Sequence, residues 1–407
     1  MKKILAMLLA AVMVLGLAAC GGSSAPAATE APAAQAPAAT EAPATEAPAA
    51  PAETAAPAPA GVITKVALVT DVGTIDDESF NQACWQGVEA WCTANGIEYT
   101  YYQPTEDSTD ARVLSVAQAI NEGANAIVMP GYLFGTTVLT VQDEYPDVYF
   151  IAVDVAGGDL TFDYQTYYDP AANVACLTFS EEQAGYLAGY AAVKEGYTKL
   201  GFLGGMAVPA VIRYGYGFVQ GADAAAQELD TEVEINYTYG GQFAGSPEIT
   251  AKMEGWYQAG TEVVFACGGG IYTSAAEAAA KVGGKVIGVD VDQAAIIDGD
   301  YGEGMTVTSA MKGLSATVKS VLGDLILNDA WSNYAGQVST LGLIGEDPEA
   351  NFVQLPVAST QFAEGFTEAD YTALVAAMFK GEITVSSDIE AEPAVTAITV
   401  DYQGNIK

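Results

Sequence analysis

KVALVTDVGTIDDESFNQACWQGVEAW, residues 65–91, reads as a β-branched apolar strand, an acidic loop and an amphipathic helix in immediate succession. The strand is KVALVT (65–70) and the helical period runs over 78–94. Asp71, Asp76 and Asp77 crowd the turn between them, followed by Ser79, Phe80 and Asn81. Carboxylates and hydroxyls where a helix begins complement its unpaired amides and its dipole, which accounts for Asp76, Asp77 and Ser79. Capping does not account for Phe80, whose flat face falls in the first turn, or for Asn81, which can both donate and accept.

The same strand–helix alternation recurs along the chain. Further strands are expected at NAIVMP (125–130), VYFIAV (148–153), KLGFLG (199–204), EVVFAC (262–267) and KVIGVD (285–290), with helices at 111–121, 181–193, 247–259 and 272–282. Continuous apolar strands, each followed by a helix, predict an α/β fold with parallel sheets covered on both faces. Two rounds of the pattern meet near 173–190. The expected division is a first lobe of 62–176 plus about 305–350, and a second of 177–304 plus part of about 351–407. The segment from 333 onward is weakly patterned apart from a helix at 367–380 and a strand within AVTAITVDY (394–402). Ligands of open α/β sheets sit beyond the carboxyl ends of the strands, which singles out Asp71, Asp154, Gly268, Gly269, Gly270 and Asp290. The glycine triplet would let backbone amides approach a ligand closely. GYGFVQG (215–221) has the wrong spacing for a dinucleotide fingerprint and reads as helix packing.

Composition removes whole classes of function. Lys+Arg number 14 against 51 Asp+Glu, a formal charge of −37, so nucleic acid is a poor partner. With no histidine, Ser-His-Asp and Cys-His nucleophiles and His-ligated metals are excluded. Cys84, Cys92, Cys176 and Cys267 form no C-x-x-C pair and read as small buried apolar groups; Cys84 and Cys92 would stand about 12 Å apart along one helix. No cofactor is expected.

Residues 1–20 open with Lys2 and Lys3, continue apolar and close with LAAC, a run short for a membrane span and suited to an export signal. LAAC resembles the lipobox of bacterial lipoproteins, which implies cleavage before Cys20 and acylation of that residue, anchoring the protein outside the cytoplasm. The Ala/Pro/Thr/Glu stretch 21–61 cannot form a core and reads as a disordered linker.

TDVGTIDDESFNQACWQGVEAW also resembles the N-terminal signature of the basic membrane protein family, surface lipoproteins that are substrate-binding subunits of nucleoside ABC importers. Collinear blocks follow at FSEEQAGYLAGYAA (179–192), LGFLGGMAVPAVIRYGYGFVQGA (200–222), VVFACGGG (263–270), KVIGVDVDQ (285–293) and TVTSAMKG (306–313). The resemblance implies a type I periplasmic binding protein: two Rossmann-like lobes joined by three crossing strands. It implies a purine base sandwiched between Phe80 and Phe243, Asp154 reading the base edge, and Asp290 with Lys312 gripping the ribose. Asp71 and Asn81 join the expected pocket. The partners so implied are a nucleoside and a membrane permease, with the protein itself a monomer and not an enzyme.

Phosphate recognition draws on arginine forks or lysines, and beyond residue 61 the arginines are Arg112 and Arg213, so nucleosides should be preferred to nucleotides. Three other readings stay open at this point: a sensor with the same fold, a nucleoside hydrolase or phosphorylase working through Asp71, Asp76 and Asp77, and a binding protein for a sugar or other small polar ligand.

Overall fold

The computed structural model describes residues 62–406. The signal-like segment, Cys20 and the linker lie outside the described residues. A first run alternates β1 (Lys65–Val69), α1 (Phe80–Asn95), β2 (Glu98–Tyr102), α2 (Thr109–Asn121), β3 (Ala126–Pro130), α3 (Gly135–Val141), β4 (Tyr149–Val153) and β5 (Val174–Phe179). A second continues through α4 (Glu181–Lys194), β6 (Lys199–Gly204), α5 (Pro209–Leu229), β7 (Val233–Tyr239), α6 (Pro247–Gln258), β8 (Val263–Cys267), α7 (Tyr272–Ala280), β9 (Lys285–Asp290), α8 (Ala294–Tyr301) and β10 (Thr306–Lys312). The chain closes with α9 (Leu314–Ile326), β11 (Gln337–Leu341), β12 (Val353–Gln354), α10 (Glu368–Phe379) and β13 (Ile398–Asn405).

The strands form two sheets, ordered β11-β5-β4-β3-β1-β2 and β12-β10-β9-β8-β6-β7-β13. The first is parallel throughout, and in the second only β12 runs antiparallel to its neighbour. Alternation along the strands explains why both faces are covered. Val66 and Leu68 of β1 enter one core, while Ala67 and Val69 enter another on the opposite face. The result is the two-lobed α/β architecture that the sequence predicts.

Two boundaries differ from expectation. β10 remains in the second sheet, paired with β9, so the return to the first lobe placed at about 305 comes after Lys312. β5 carries the first sheet to Phe179 rather than 176. The main chain changes lobe between β5 and α4, between β10 and α9, and between β11 and β12. These crossings are laced together: Ser180 N–H donates to the Leu341 carbonyl at 2.9 Å, Gly313 N–H to Phe352 O at 2.7 Å, and Phe352 N–H to Gly342 O at 3.2 Å.

GYGFVQG lies inside α5 and packs that helix on α4, as expected. A Cβ on Gly217 would stand 2.1 Å from the Glu182 carbonyl oxygen, and one on Gly185 would stand 2.1 Å from Tyr214 O. The two backbones touch. This close crossing sets the first turn of α4, with Glu181, beside Arg213 and Tyr214 of α5.

Cys84, Cys92, Cys176 and Cys267 are free and buried, matching their reading as core groups. Among the described residues no helix is long and apolar enough to cross a membrane.

Candidate ligand-binding site

The carboxyl ends of both sheets face a shared cavity of about 610 Å³. Asp71 after β1, Gly131 after β3 and Asp154 after β4 line it from the first lobe; Gly268 after β8, Asp290 at the end of β9 and Lys312 at the end of β10 line it from the second. Asp154 and Asp290 both adopt left-handed backbone, with φ of 60° and 66°. Aspartate enters that region more readily than most residues because its short side chain can bond locally, and such strain gathers at binding sites.

Lys312 is the centre of the cleft's electrostatics. Buried at 4% exposure, its ammonium bonds the Asp154 carboxylate and lies 3.4 Å from Glu181 Oε1 and 3.7 Å from Asp290 Oδ1. Glu181 is shared with Arg213, whose Nε stands 2.6 Å from Glu181 Oε2. Burial alone would lower the lysine's pKa, but Asp154, Asp290 and Glu181 outweigh it and hold the ammonium charged. Burial raises the carboxyl of Asp154 and is only partly offset by Lys312. Asp290 is raised for the same reason, against the opposing pull of Lys312 and of a bond from Ser79. The Phe80 ring lies under the ammonium, 4.7 Å from centroid to Nζ. The family resemblance implies Asp154 at the base and Lys312 at the ribose; in the structure the two are paired with each other.

The acidic loop divides its labour. Asp77 caps α1, accepting from the amides of Ser79 (3.0 Å), Asn81 (3.0 Å) and Gln82 (3.1 Å), which explains why the helix starts at Phe80 rather than 78. Asp71 accepts from Gly73 N–H at 2.8 Å and from Asn81 Nδ2 at 3.0 Å. Asn81 Nδ2 also donates to Asp77 at 3.1 Å, so its amide orientation is fixed and its Oδ1 is buried without a partner, an acceptor at the cavity wall. Burial raises the carboxyls of Asp71 and Asp77. Asp76 is exposed and outside the cavity lining.

Ser79 turns across the cleft instead of capping. Its hydroxyl donates to Asp290 Oδ2 at 2.6 Å, and nearby Gln293 Nε2 donates to the Glu78 carbonyl at 2.9 Å. Gln293 is itself held, with Oε1 accepting from Val289 N–H at 2.9 Å.

Phe243, on the loop after β7, occupies a niche made by missing side chains. A Cβ at Gly205 would fall 2.4 Å from Phe243 Cδ1, and one at Gly268 2.8 Å from the same atom. A Cβ at Gly269 would meet the Phe243 carbonyl oxygen at 2.7 Å, and Gly270 bridges Ala244. The triplet therefore seats the aromatic ring, a role that glycine spacing alone did not reveal. Glu181, Tyr214 and Gln293 were not singled out from sequence, Ser79 was expected only as a cap, and Arg213 was not expected at the site. Glu181 lies in the first turn of α4, where an acid is common at any helix start, and Gln293 carries no signal without its distant partners.

The chain is 30% identical over 242 residues to the ABC transporter nucleoside-binding protein BmpA of Lactococcus lactis subsp. cremoris, covering 56% of this chain and 64%, just under two thirds, of that protein. It is 26% identical over 294 residues to basic membrane protein A1 of Borrelia garinii subsp. bavariensis, covering 69% and 80%. Among solved structures, an ABC transporter solute-binding protein from Conexibacter woesei superposes with a TM-score of 0.61 at 23% identity over 80% of this chain and 99% of that one. One from Aeropyrum pernix K1 gives 0.59 at 22% identity, over 80% and 88%. These two likenesses speak for the fold alone. The model of the Bmp family, described as ABC transporter substrate-binding protein PnrA-like, matches residues 63–344, and the chain belongs to that family.

Proposed function

We propose that this protein captures purine nucleosides in the interlobe cleft and presents them to the permease of an ABC importer, without making or breaking a bond. The observation that carries the reading is that Phe80 from one lobe and Phe243 from the other line the same cavity as the Asp154–Lys312–Asp290 cluster. Aromatic faces suit a base, with stacking worth about 1–3 kcal/mol per base. Carboxylates around a fixed cation suit the hydroxyls of a ribose. Asp71 and the unpartnered Oδ1 of Asn81 offer acceptors to donors on the base edge, and Gly268, Gly269 and Gly270 support the stacking ring. A ligand touching both lobes favours the closed arrangement, the form a permease recognises. The same reading includes acylation of Cys20, an extracytoplasmic membrane-anchored location and a monomeric protein.

Calorimetry and thermal shift with purine and pyrimidine nucleosides, free bases, pentoses and nucleotides test it, since ligand bound to the native state raises the melting temperature. Purine nucleosides should give the largest shift. Their 5′-monophosphates should give little, because Lys312 and Arg213 are already committed to carboxylates and Asp71, Asp77, Asp154 and Asp290 line the cavity. A pentose that binds where nucleosides do not would overturn the ligand class. Release of hypoxanthine from inosine would overturn the non-enzymatic role. Unchanged nucleoside uptake after deletion, with an altered transcriptional response, would favour the sensor.

A further inference from the structure

The Tyr214 side chain takes no part in the contacts assigned so far. It lies on α5, is 1% exposed, and yet lines the cavity. Its ring meets Phe265 edge-on at 5.9 Å and stands 5.8 Å from the Lys312 ammonium. Its hydroxyl is buried and makes no hydrogen bond. Burial first, and then the charges of Asp290, Glu181 and Asp154, keep it a neutral phenol able to donate. Asp154 shares this condition: Oδ2 is held by Lys312, while Oδ1 is buried and unpartnered.

Buried polar atoms without partners are rare, and each requires a cause. Here the two residues that carry them meet at one lysine, Asp154 bonded to Lys312 through Oδ2 and Tyr214 with its ring centre 5.8 Å from the ammonium. Asp154 Oδ1, as a carboxylate oxygen, only accepts, whereas Tyr214 Oη donates and accepts. They do not bond each other. A single group completing both must donate and accept through one atom; a water does so in the unliganded cleft, and of the groups on a nucleoside a hydroxyl does so in its place. A base carbonyl or ring nitrogen cannot give a proton to the carboxylate, an amino group cannot accept from the phenol, and a methylene can do neither.

Building on the nucleoside reading, we infer that Tyr214 is a specificity-determining residue, which with Asp154 completes the hydrogen bonding of one sugar hydroxyl and so selects ribosides over the matching deoxyribosides. The test is calorimetric titration of the full chain and its Tyr214→Phe variant with inosine, 2′-deoxyinosine and 3′-deoxyinosine. The substitution keeps the ring and removes one oxygen. Inosine should bind about tenfold more weakly to the variant, while the deoxy analogue lacking the engaged hydroxyl binds both proteins alike. The unliganded variant should melt at the same or a higher temperature, because an unpaired buried hydroxyl is lost; a clear drop would assign the hydroxyl a structural role and overturn the inference. Inosine affinity unchanged within about twofold, or equal losses for all three ligands, would also overturn it. Absence of inosine binding to the unsubstituted protein would instead refute the nucleoside reading, and this inference with it.

Discussion

The Ser79 hydroxyl of the first lobe is bonded to the Asp290 carboxylate of the second at 2.6 Å, a contact between residues 211 positions apart that closes the cleft on one side. With the bond from Gln293 to the Glu78 carbonyl, it forms a latch made by the protein alone. Ser79→Ala and Gln293→Ala should each shift the lobes toward opening by about 1 kcal/mol, and the apparent affinity for ligand should fall about fivefold through the smaller closed fraction. Small-angle scattering of the unliganded variants checks the first effect, and calorimetry the second. An unchanged radius of gyration with unchanged affinity would refute the latch.

Removing the cation should be far more costly. Lys312→Met leaves Asp154, Asp290 and Glu181 facing one another in a buried site, with an expected destabilisation of about 3–5 kcal/mol near neutral pH. Adding Asp154→Asn to it should restore part of that loss. Denaturant unfolding of both variants gives the two numbers directly.

Acidity should stabilise the fold through Glu195. This residue sits at the carboxyl end of α4, where the helix dipole disfavours an anion, and its Oε1 is buried without a partner. Burial pushes its pKa up to about 8, and burial likewise lifts Glu182 to about 7. A carboxyl whose folded pKa lies above its unfolded value contributes stability that is complete below the unfolded value, near 4.5, and is lost as pH rises through the folded one. Melting temperature should therefore decline between about pH 5 and 8. Glu195→Gln should flatten that decline and raise the melting point at pH 8, with little effect at pH 4.5. A decline as steep in the variant as in the parent protein would refute the assignment.

The niche behind Phe243 offers a test without touching the ring. Gly205→Ala places a methyl 2.4 Å from Phe243 Cδ1, so the ring must move. Nucleoside affinity should fall by about 1–3 kcal/mol, as for Phe243→Ala, with the two substitutions together no worse than either alone. Additive losses in calorimetry would separate the niche from the ring's function.

The sequence made the architecture legible wherever a strand was apolar on both faces. β1, β3, β4, β6, β8 and β9 fall within about a residue of their expected positions, since Val, Ile and Leu runs covered on both sides have few alternatives. β2 (Glu98–Tyr102) was not anticipated because it lies at a sheet edge, where Glu98 and Tyr101 face solvent and dilute the pattern. β10 was recognised as a motif but assigned to the wrong lobe. Its residues look alike in either sheet, and only pairing with β9 decides. At the site, strand-end geometry found Asp71, Asp154 and Asp290. It could not find Ser79 or Gln293, whose partners lie more than two hundred residues away. Local sequence carries the cap on α1; it carries nothing about which distant carboxylate a serine will meet.

Lys312 and Glu181 each adjoin a place where the chain changes lobe, one ending β10 just before Gly313 and the other opening α4 just after Ser180. An atom at a fulcrum sweeps a short arc for a given rotation, whereas Phe80 and Phe243, reaching from separate lobes, sit on longer lever arms. The lysine's charge is thus nearly stationary through any swing of the lobes, a fixed electrostatic landmark around which the moving walls assemble.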